Sequence, residues 1–105
     1  MTLGAATEIG QIDRVIHEPA RLLIMTILRT AGEADFLYLM REGRFTQGNL
    51  SSHLAKLEEA GYVQIEKTFK GKLPLTICRS TGKGDEALAE YTRRMLGILQ
   101  PNSGP

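Results

Sequence analysis

The sequence predicts a mainly α-helical domain that carries one small β-hairpin, an α+β fold. Apolar residues recur at helical spacing in several stretches, but between residues 62 and 79 they alternate with polar ones. The chain has 105 residues, of which 42% are hydrophobic and 24% charged. These values indicate one globular domain over residues 1–105. The helix and strand patterns described below predict its core at about 12–80 and a final helix at about 81–99.

Three helices are predicted before residue 44. The first runs from about Thr7 to Ile16, where isoleucine and valine follow a helical period. The second begins at Pro19, because proline suits the first helical position, and ends near Gly32. A third, short helix follows Asp35, which is a favoured N-cap residue, and is expected to close at Gly43.

The strongest helix signal is the stretch TQGNLSSHLAKLEEAGYV, residues 46–63. Thr46 is a good N-cap residue, and Gly61 lies where a left-handed C-terminal residue is favoured. At about 100° per residue, the apolar positions of this helix make one narrow stripe. That stripe consists of Leu50, Leu54 and Leu57.

The opposite face of this helix has small or hydrogen-bonding side chains near its N-terminus. Short polar groups let a helix backbone approach base edges in the DNA major groove, and Gln or Asn can bond adenine bidentately. The alternative is an ordinary amphipathic helix with a solvated outer face. We expect His53 to be half-buried, in a structural or phosphate-contacting role. The candidate DNA-binding residues of this helix are Thr46, Gln47, Asn49, Ser51, Ser52, His53 and Lys56.

Two strands are predicted next, over residues 62–69 and 73–79, because apolar and polar residues alternate there. They follow two short helices joined by a tight turn, which is a helix-turn-helix arrangement. A hairpin in this place is a wing. Its lysines, Lys67, Lys70 and Lys72, are expected to meet DNA backbone phosphates or the minor groove, or alternatively only to keep an exposed hairpin soluble.

The last helix is predicted to begin after the N-cap Thr81 and to reach about Leu99, before a loose tail. Its apolar residues step by three and four, as in a coiled-coil seam, which favours homodimerisation together with the first helix. The alternative is a helix that folds back onto its own core. The predicted dimerisation residues are Ile9, Ile12, Leu88, Tyr91, Met95 and Ile98.

Several classes of function lack support in the composition. The net charge is only +1, which does not suit a strongly basic coat protein. A single cysteine, Cys78, provides no disulfide and no metal site, so no cofactor is expected. There is no nucleophile paired with a base, so we do not expect an enzyme. No apolar run approaches about 20 residues and no signal peptide is evident, which predicts a cytoplasmic protein that does not enter a membrane.

Four short motifs, spread over roughly residues 12–91, give the chain a family resemblance. They are PARL at residue 19, LSSHL at residue 50, LEEAGYV at residue 57 and TGKG at residue 81. With the order of elements, they resemble the winged helix-turn-helix transcriptional regulators, close to the MarR and ArsR groups. The resemblance implies a dimeric repressor or regulator on a palindromic operator, with residues 46–60 in the major groove. The cysteine pairs of the metal-sensing ArsR branch are absent.

Three hypotheses for function follow. The first is a sequence-specific regulator that binds double-stranded DNA as a dimer. The second is a winged-helix module that binds another protein through the same helix face and hairpin. The third is a regulator that responds to a small molecule bound between the dimer helices and the DNA-binding lobes. The third hypothesis is supported only by residues that would fit the protein core equally well: Met25, Phe36, Tyr38, Met40 and Met95.

Overall fold

The computed structural model describes residues 3–100, which form five helices and one three-stranded antiparallel sheet. The predicted α+β class and the winged helix-turn-helix arrangement are confirmed. The tail predicted after Leu99 lies mostly outside the described residues. In chain order the elements are α1 (Leu3–Gly10), α2 (Pro19–Ala31), β1 (Glu33–Asp35), α3 (Phe36–Gly43), α4 (Gln47–Glu59), β2 (Val63–Lys70), β3 (Leu73–Ser80) and α5 (Gly82–Leu99).

The core lies where α2, α3 and α4 pack against one face of the sheet. Each fully enclosed aliphatic side chain contributes roughly 1.5–3 kcal/mol by leaving water. Leu88 and Tyr91 of α5 close one side of this core. The side chains with no exposed surface are Ile16, Ile24, Met25, Leu28, Leu39, Leu50, Leu57 and Cys78.

Side-chain caps define the starts of four helices. In each case an oxygen of the cap accepts a hydrogen bond from the backbone N–H three residues later, which satisfies a free donor of the first turn. The caps on α3, α4 and α5 are the residues predicted from the sequence, whereas the glutamate cap on α2 was not predicted. The bonds are Arg21 N to Glu18 (2.8 Å), Tyr38 N to Asp35 (2.8 Å), Asn49 N to Thr46 (3.1 Å) and Gly84 N to Thr81 (3.0 Å).

The first helix differs from its prediction. The predicted range was 7–16, but α1 ends at Gly10 and residues 11–18 form a non-helical connecting segment. The Asp13 carboxylate accepts hydrogen bonds from the backbone N–H groups of Val15, at 2.9 Å, and Ile16, at 3.3 Å. Such local bonds to a side chain compete with the backbone hydrogen bonds of a helix. The apolar residues of this stretch therefore belong to a folded-back segment and not to a helix.

The strand β1 was not predicted. It comprises only Glu33–Asp35, and it pairs antiparallel with β3 so that the sheet order is β1-β3-β2. Three residues are too few to show alternation, and the strand owes its existence to the neighbouring edge of β3. The predicted hairpin strands are confirmed: β2 is shifted by one residue towards its C-terminal end, and β3 is one residue longer at its C-terminal end.

The end of α3 also differs from expectation. Gly43 is the last helical residue, but the left-handed residue that closes the helix is Arg44, with φ of 55°. Glycine is required at position 43 for a different reason, since an added Cβ would overlap the ring of Phe45. This ring packs against the core and fixes the short turn that leads into α4.

The apolar stripe predicted for dimerisation is largely directed into its own chain. Ile12, Leu88 and Tyr91 are buried in the core, so they offer no exposed contact to a second copy. The α5 helix packs against α1 and α2, and Arg94 pairs with Glu8 at 3.0 Å. The inward-facing part of the stripe therefore folds back onto its own core, which was the alternative interpretation.

The connecting segment ties α5 and the α4–β2 turn together. The Tyr62 hydroxyl donates to the Asp13 carboxylate, and Nδ1 of His17 is hydrogen-bonded to the Tyr91 hydroxyl at 2.8 Å. At the start of α5, the Thr81 hydroxyl donates to the Gly61 carbonyl at 2.6 Å. The bonds of Asp13 and His17 hold residues 11–18 through contacts distant in sequence, although this segment has no regular secondary structure.

A close approach of α5 to the α4–β2 turn gives a stability prediction. An added Cβ at Gly84 would overlap the Tyr62 carbonyl oxygen, which accepts from Thr81 N at 3.0 Å, and would lie 3.0 Å from Cε of Met25. We expect Gly84→Ala to lower the free energy of unfolding by about 1–3 kcal/mol, as overpacking does. Gly82→Ala is the matched control, because nothing lies within 4 Å of its added Cβ. Equal urea midpoints for the two variants would contradict this packing.

The hydroxyl of Tyr62 gives a pH prediction. Burial and the hydrogen bond to Asp13 raise the pKa of Tyr62 from 10.0 to about 12. Because the folded-state pKa lies above the unfolded one, the associated stability is complete below pH 10.0 and is lost as the pH rises towards about 12. One of the three tyrosines should therefore ionise late in an ultraviolet titration. In Tyr62→Phe that late step should vanish; its persistence would assign it to another tyrosine.

Candidate nucleic-acid interface

The α4 helix has one buried stripe and one open face. Its three predicted leucines are in the core, and the polar residues of its first two turns are exposed. Gly48 lies in this exposed surface, and nothing lies within 4 Å of a Cβ placed there, so the face is shallow and unobstructed. The structure thus brings together five predicted residues at one helix end: Thr46, Gln47, Asn49, Ser51 and Ser52.

On one side of this face lies the wing, formed by β2, β3 and their turn. A cleft of about 640 Å³, here called the wing cleft, separates α4 from the hairpin. Lys67 lines it opposite Gln47 and Ser51, and Glu58 of α4 also lines it. Lys70 and Lys72 are exposed nearer the tip. The turn has two residues and begins with Gly71 at φ of 64°, a conformation that glycine adopts without strain. Three lysines thus follow the hairpin away from α4.

On the other side of α4, along its C-terminal half, lies a second cleft that was not predicted. It has a volume of about 350 Å³ and is here called the arginine cleft. Lys56, a predicted DNA contact, lines it together with Arg14, Arg21 and one carboxylate, Glu59. Neither arginine was assigned to a site from the sequence, because Arg14 lies in a segment predicted to be helical. Arg21 lies in one of the family-like motifs, but the sequence does not show that its side chain reaches α4.

The side chain of Arg21 is held in place by the connecting segment and by His53 of α4. Its Nε donates to the Val15 carbonyl at 2.6 Å, and its Nη1 donates to Nδ1 of His53 at 3.2 Å. Arginine has only donors, so Nδ1 of His53 must be the acceptor and Nε2 must carry the ring hydrogen. That Nε2 lies 4.0 Å from the Glu18 carboxylate. The guanidinium is therefore fixed between the connecting segment and α4.

His53 is a positioning residue in this arrangement. Only 21% of its side chain is exposed, and its ring lies 6.4 Å from that of Phe45. The half-buried location matches the expectation from the sequence. Its ring is engaged by Arg21 and Glu18 within the chain, so His53 orients the Arg21 guanidinium.

Charge is distributed unevenly along α4. The first two turns, residues 47–53, contain no carboxylate, whereas Glu58 and Glu59 lie in the last turn. Free backbone N–H groups and the positive end of the helix dipole also lie at the N-terminus. Anions are therefore favoured at the start of α4 and disfavoured at its end.

Other chemistry finds no support in the part of the chain that the structure describes. No group of His, Cys, Asp or Glu in residues 3–100 could hold a metal ion. Over the same residues no helix is long and apolar enough to cross a membrane. Burial, together with the nearby carboxylates of Asp35 and Glu58, raises the pKa of Cys78 to about 11. The thiol is therefore protonated at neutral pH and is not a nucleophile.

Residues considered for a small-molecule site serve mainly the core. Met25 has no exposed surface, and Phe36, Met40 and Met95 pack against the core. Tyr38 is partly exposed on the outer side of α3. These five residues therefore do not line one pocket, although Phe36 also borders the wing cleft.

Comparison with known proteins agrees with this geometry. Residues 20–99, from α2 through α5, match the winged helix DNA-binding domain family. The chain is similar to an uncharacterised protein of Methanocaldococcus jannaschii, with 34% identity over 86 residues that cover 81% of this chain and 92% of that protein. Its fold is similar to a solved transcriptional regulator homologue protein from Pyrococcus horikoshii OT3, with a TM-score of 0.85 and 27% identity over 90% of this chain and 96% of that chain. The chain therefore belongs to the winged helix DNA-binding domain family.

Proposed function

We propose that this protein is a sequence-specific transcriptional regulator that binds a palindromic operator as a homodimer and represses transcription. The observation that carries the proposal is the exposed polar N-terminal half of α4, which lies beside the wing and its lysines, while the arginine cleft flanks the C-terminal half of the same helix. A neutral, hydrogen-bonding surface is suited to bases, and the basic flanks are suited to the phosphates on either side of a groove.

In this proposal α4 enters the major groove with its N-terminus leading. Gln47 and Asn49 provide amides that can bond an adenine bidentately, and the hydroxyls of Ser51 and Ser52 can bond bases or phosphates. The Thr46 hydroxyl is already occupied as the N-cap acceptor, so we assign Thr46 to the phosphate next to the helix start. The small exposed Gly48 allows the backbone to approach the base edges.

Contacts to the DNA backbone come from both sides of α4. The wing supplies Lys67, Lys70 and Lys72, and the arginine cleft supplies Arg14 and Lys56, with Arg21 held beside them. These contacts fix the register of α4 in the groove but do not distinguish sequences. This division of labour predicts different consequences for substitutions on α4 and on the wing.

The dimer in this proposal uses the outer surfaces of α1 and α5. Ile9, Leu96 and Leu99 are more than half exposed, while Met95 and Ile98 are only partly buried beside them. The molecule measures 60 × 23 × 22 Å, and its radius of gyration of 16.0 Å exceeds the roughly 13 Å of a compact chain of this length. A helical extension with exposed leucines favours association with a second copy.

A two-fold dimer presents two copies of α4, which suits half-sites about one helical turn apart on a palindrome. Repression would follow if the bound dimer covers a promoter. The similarity to the Pyrococcus protein, a transcriptional regulator homologue, supports regulation as the general role. The resemblance to the MarR and ArsR groups supports the dimer and the palindrome. A regulator of this kind works where the chromosome is, in agreement with the predicted cytoplasmic location.

One prediction of this proposal separates base reading from phosphate binding. Asn49→Ala should weaken binding to the cognate duplex by roughly 1–3 kcal/mol while leaving binding to a scrambled duplex nearly unchanged. Lys70→Ala should weaken both duplexes alike and lower the salt slope by about one unit per protomer. Fluorescence anisotropy at two salt concentrations measures both effects, with the DNA upstream of the protein's own gene as the first duplex.

Each outcome has a distinct meaning. Wild-type binding that prefers the upstream duplex at raised salt supports the regulator. Equal losses on cognate and scrambled DNA from Asn49→Ala would contradict base reading by α4. No binding to any duplex at low salt would overturn the proposal in favour of a winged-helix module that binds a protein.

Another prediction of this proposal concerns the dimer. Leu96→Glu places a charge in the proposed contact, and we expect it to halve the mass seen by sedimentation and to weaken binding to a two-half-site duplex more than to a single half-site. Leu37→Glu on α3 is the matched control, since Leu37 is 57% exposed and Leu96 is 52% exposed. A wild-type protein that sediments as a monomer, or a Leu96→Glu variant that stays dimeric, would contradict this interface.

A further inference from the structure

The tip of the wing carries a large exposed aromatic side chain. Phe69 is 68% exposed, and it lies one residue before the end of β2. An exposed phenylalanine contributes nothing to the core and increases the risk of aggregation. Leu73, the first residue of β3, is 70% exposed and serves as a comparison below.

The strand register shows which face of the hairpin carries Phe69. Side chains alternate along a strand, so Phe69 shares a face with Lys67, Ile65 and Val63. Ile65 and Lys67 line the wing cleft against α4. Phe69 therefore lies on the α4 side of the hairpin, roughly 7 Å further towards the tip than Lys67. Leu73 pairs with Lys70 and belongs to the opposite face.

The surroundings of Phe69 combine positive charge with an apolar surface. Its partner across the hairpin is Pro74, which has no N–H group, and Lys70 follows it in sequence. Lys67 precedes it on the same face, and Lys72 lies in the turn. An apolar ring on a hairpin that also carries three lysines suits a polyanion that also has apolar surfaces inside, which describes the stacked bases of a DNA groove.

We propose that Phe69 is an apolar wedge that enters the DNA minor groove beside the operator half-site and kinks the duplex by partly unstacking one base step. The inference rests on the proposed function and adds a specificity-determining residue to it. Apolar side chains of minor-groove proteins act this way and bend DNA by about 20–90°. Lys67 and Lys70 supply the phosphate contacts that hold the ring at the groove.

With a wedge at this position, binding depends on how easily the DNA can be kinked. Pyrimidine–purine steps such as TA and CA/TG unstack most easily, so they should be favoured under the wing although α4 never touches them. Specificity would then have two sources, namely hydrogen bonds to bases under α4 and the ease of kinking under Phe69. A lysine at this position would add only a phosphate contact.

The test uses the full chain and a duplex of about 30 base pairs selected from a random pool by binding to the wild-type protein. Dyes at the two ends report the bend by energy transfer. We expect the wild type to bend this duplex by about 20–90°. Phe69→Ala should lose most of the bend and the preference for a pyrimidine–purine step under the wing, with an unchanged salt slope. Phe69→Leu should retain part of the bend, because leucine also serves as a wedge.

Leu73→Ala is the matched control, since it removes an equally exposed apolar side chain from the other face of the same hairpin. It should bend DNA like the wild type. Tight binding to straight DNA, or a bend that Phe69→Ala leaves intact, would overturn the wedge and leave the regulator standing. An equal loss in Leu73→Ala, or a change only in sedimentation for Phe69→Ala, would also overturn it. Failure to select or bind any duplex would overturn the wedge together with the proposed function.

Discussion

Burial of one narrow leucine stripe on α4 is the constraint on which the interface depends. Leu50, Leu54 and Leu57 occupy one side of the helix and pack into the core. The hydrophobic effect acts on only that side, so the rotation of α4 is fixed by these three side chains. Everything else on the helix must then face outward or towards a cleft. A change in this stripe would therefore alter both stability and the direction in which the polar face points.

The connecting segment links α4 to α5 through side-chain hydrogen bonds, although the segment itself has no regular secondary structure. Arg21 bonds both the Val15 carbonyl and His53, which joins this segment to α4. His17, which lies in the same segment, is hydrogen-bonded to Tyr91 of α5. If α5 forms a dimer, the spacing of the two α4 helices is transmitted through residues 11–18, whose hydrogen bonds act as a brace between the two elements.

Sequence patterns identified the elements that depend on local interactions. Caps such as Asp35 and Thr46 act within three residues, and the period of the leucines in α4 is visible in one stretch, so these features were predicted. The features that were missed depend on contacts between distant residues. Strand β1 exists because β3 lies beside it, and the end of α1 depends on the Asp13 turn. Arg21 reaches α4 only because residues 11–18 fold back, which periodicity could not indicate.

A small net charge is compatible with DNA binding because the charges are segregated. The chain carries 13 basic and 12 acidic residues, yet the clefts beside α4 are lined by Arg14, Arg21, Lys56 and Lys67 against only Glu58 and Glu59. Each phosphate neutralised steepens the fall of log K with log salt by about 0.9, so a few contacts per protomer give modest nonspecific affinity. If the protein binds DNA as proposed, its tight binding must come from two joined half-sites and from base contacts, because its small net charge gives only a weak overall field. Weak general attraction with strong local complementarity is the balance suited to a regulator that must leave most of the chromosome unoccupied.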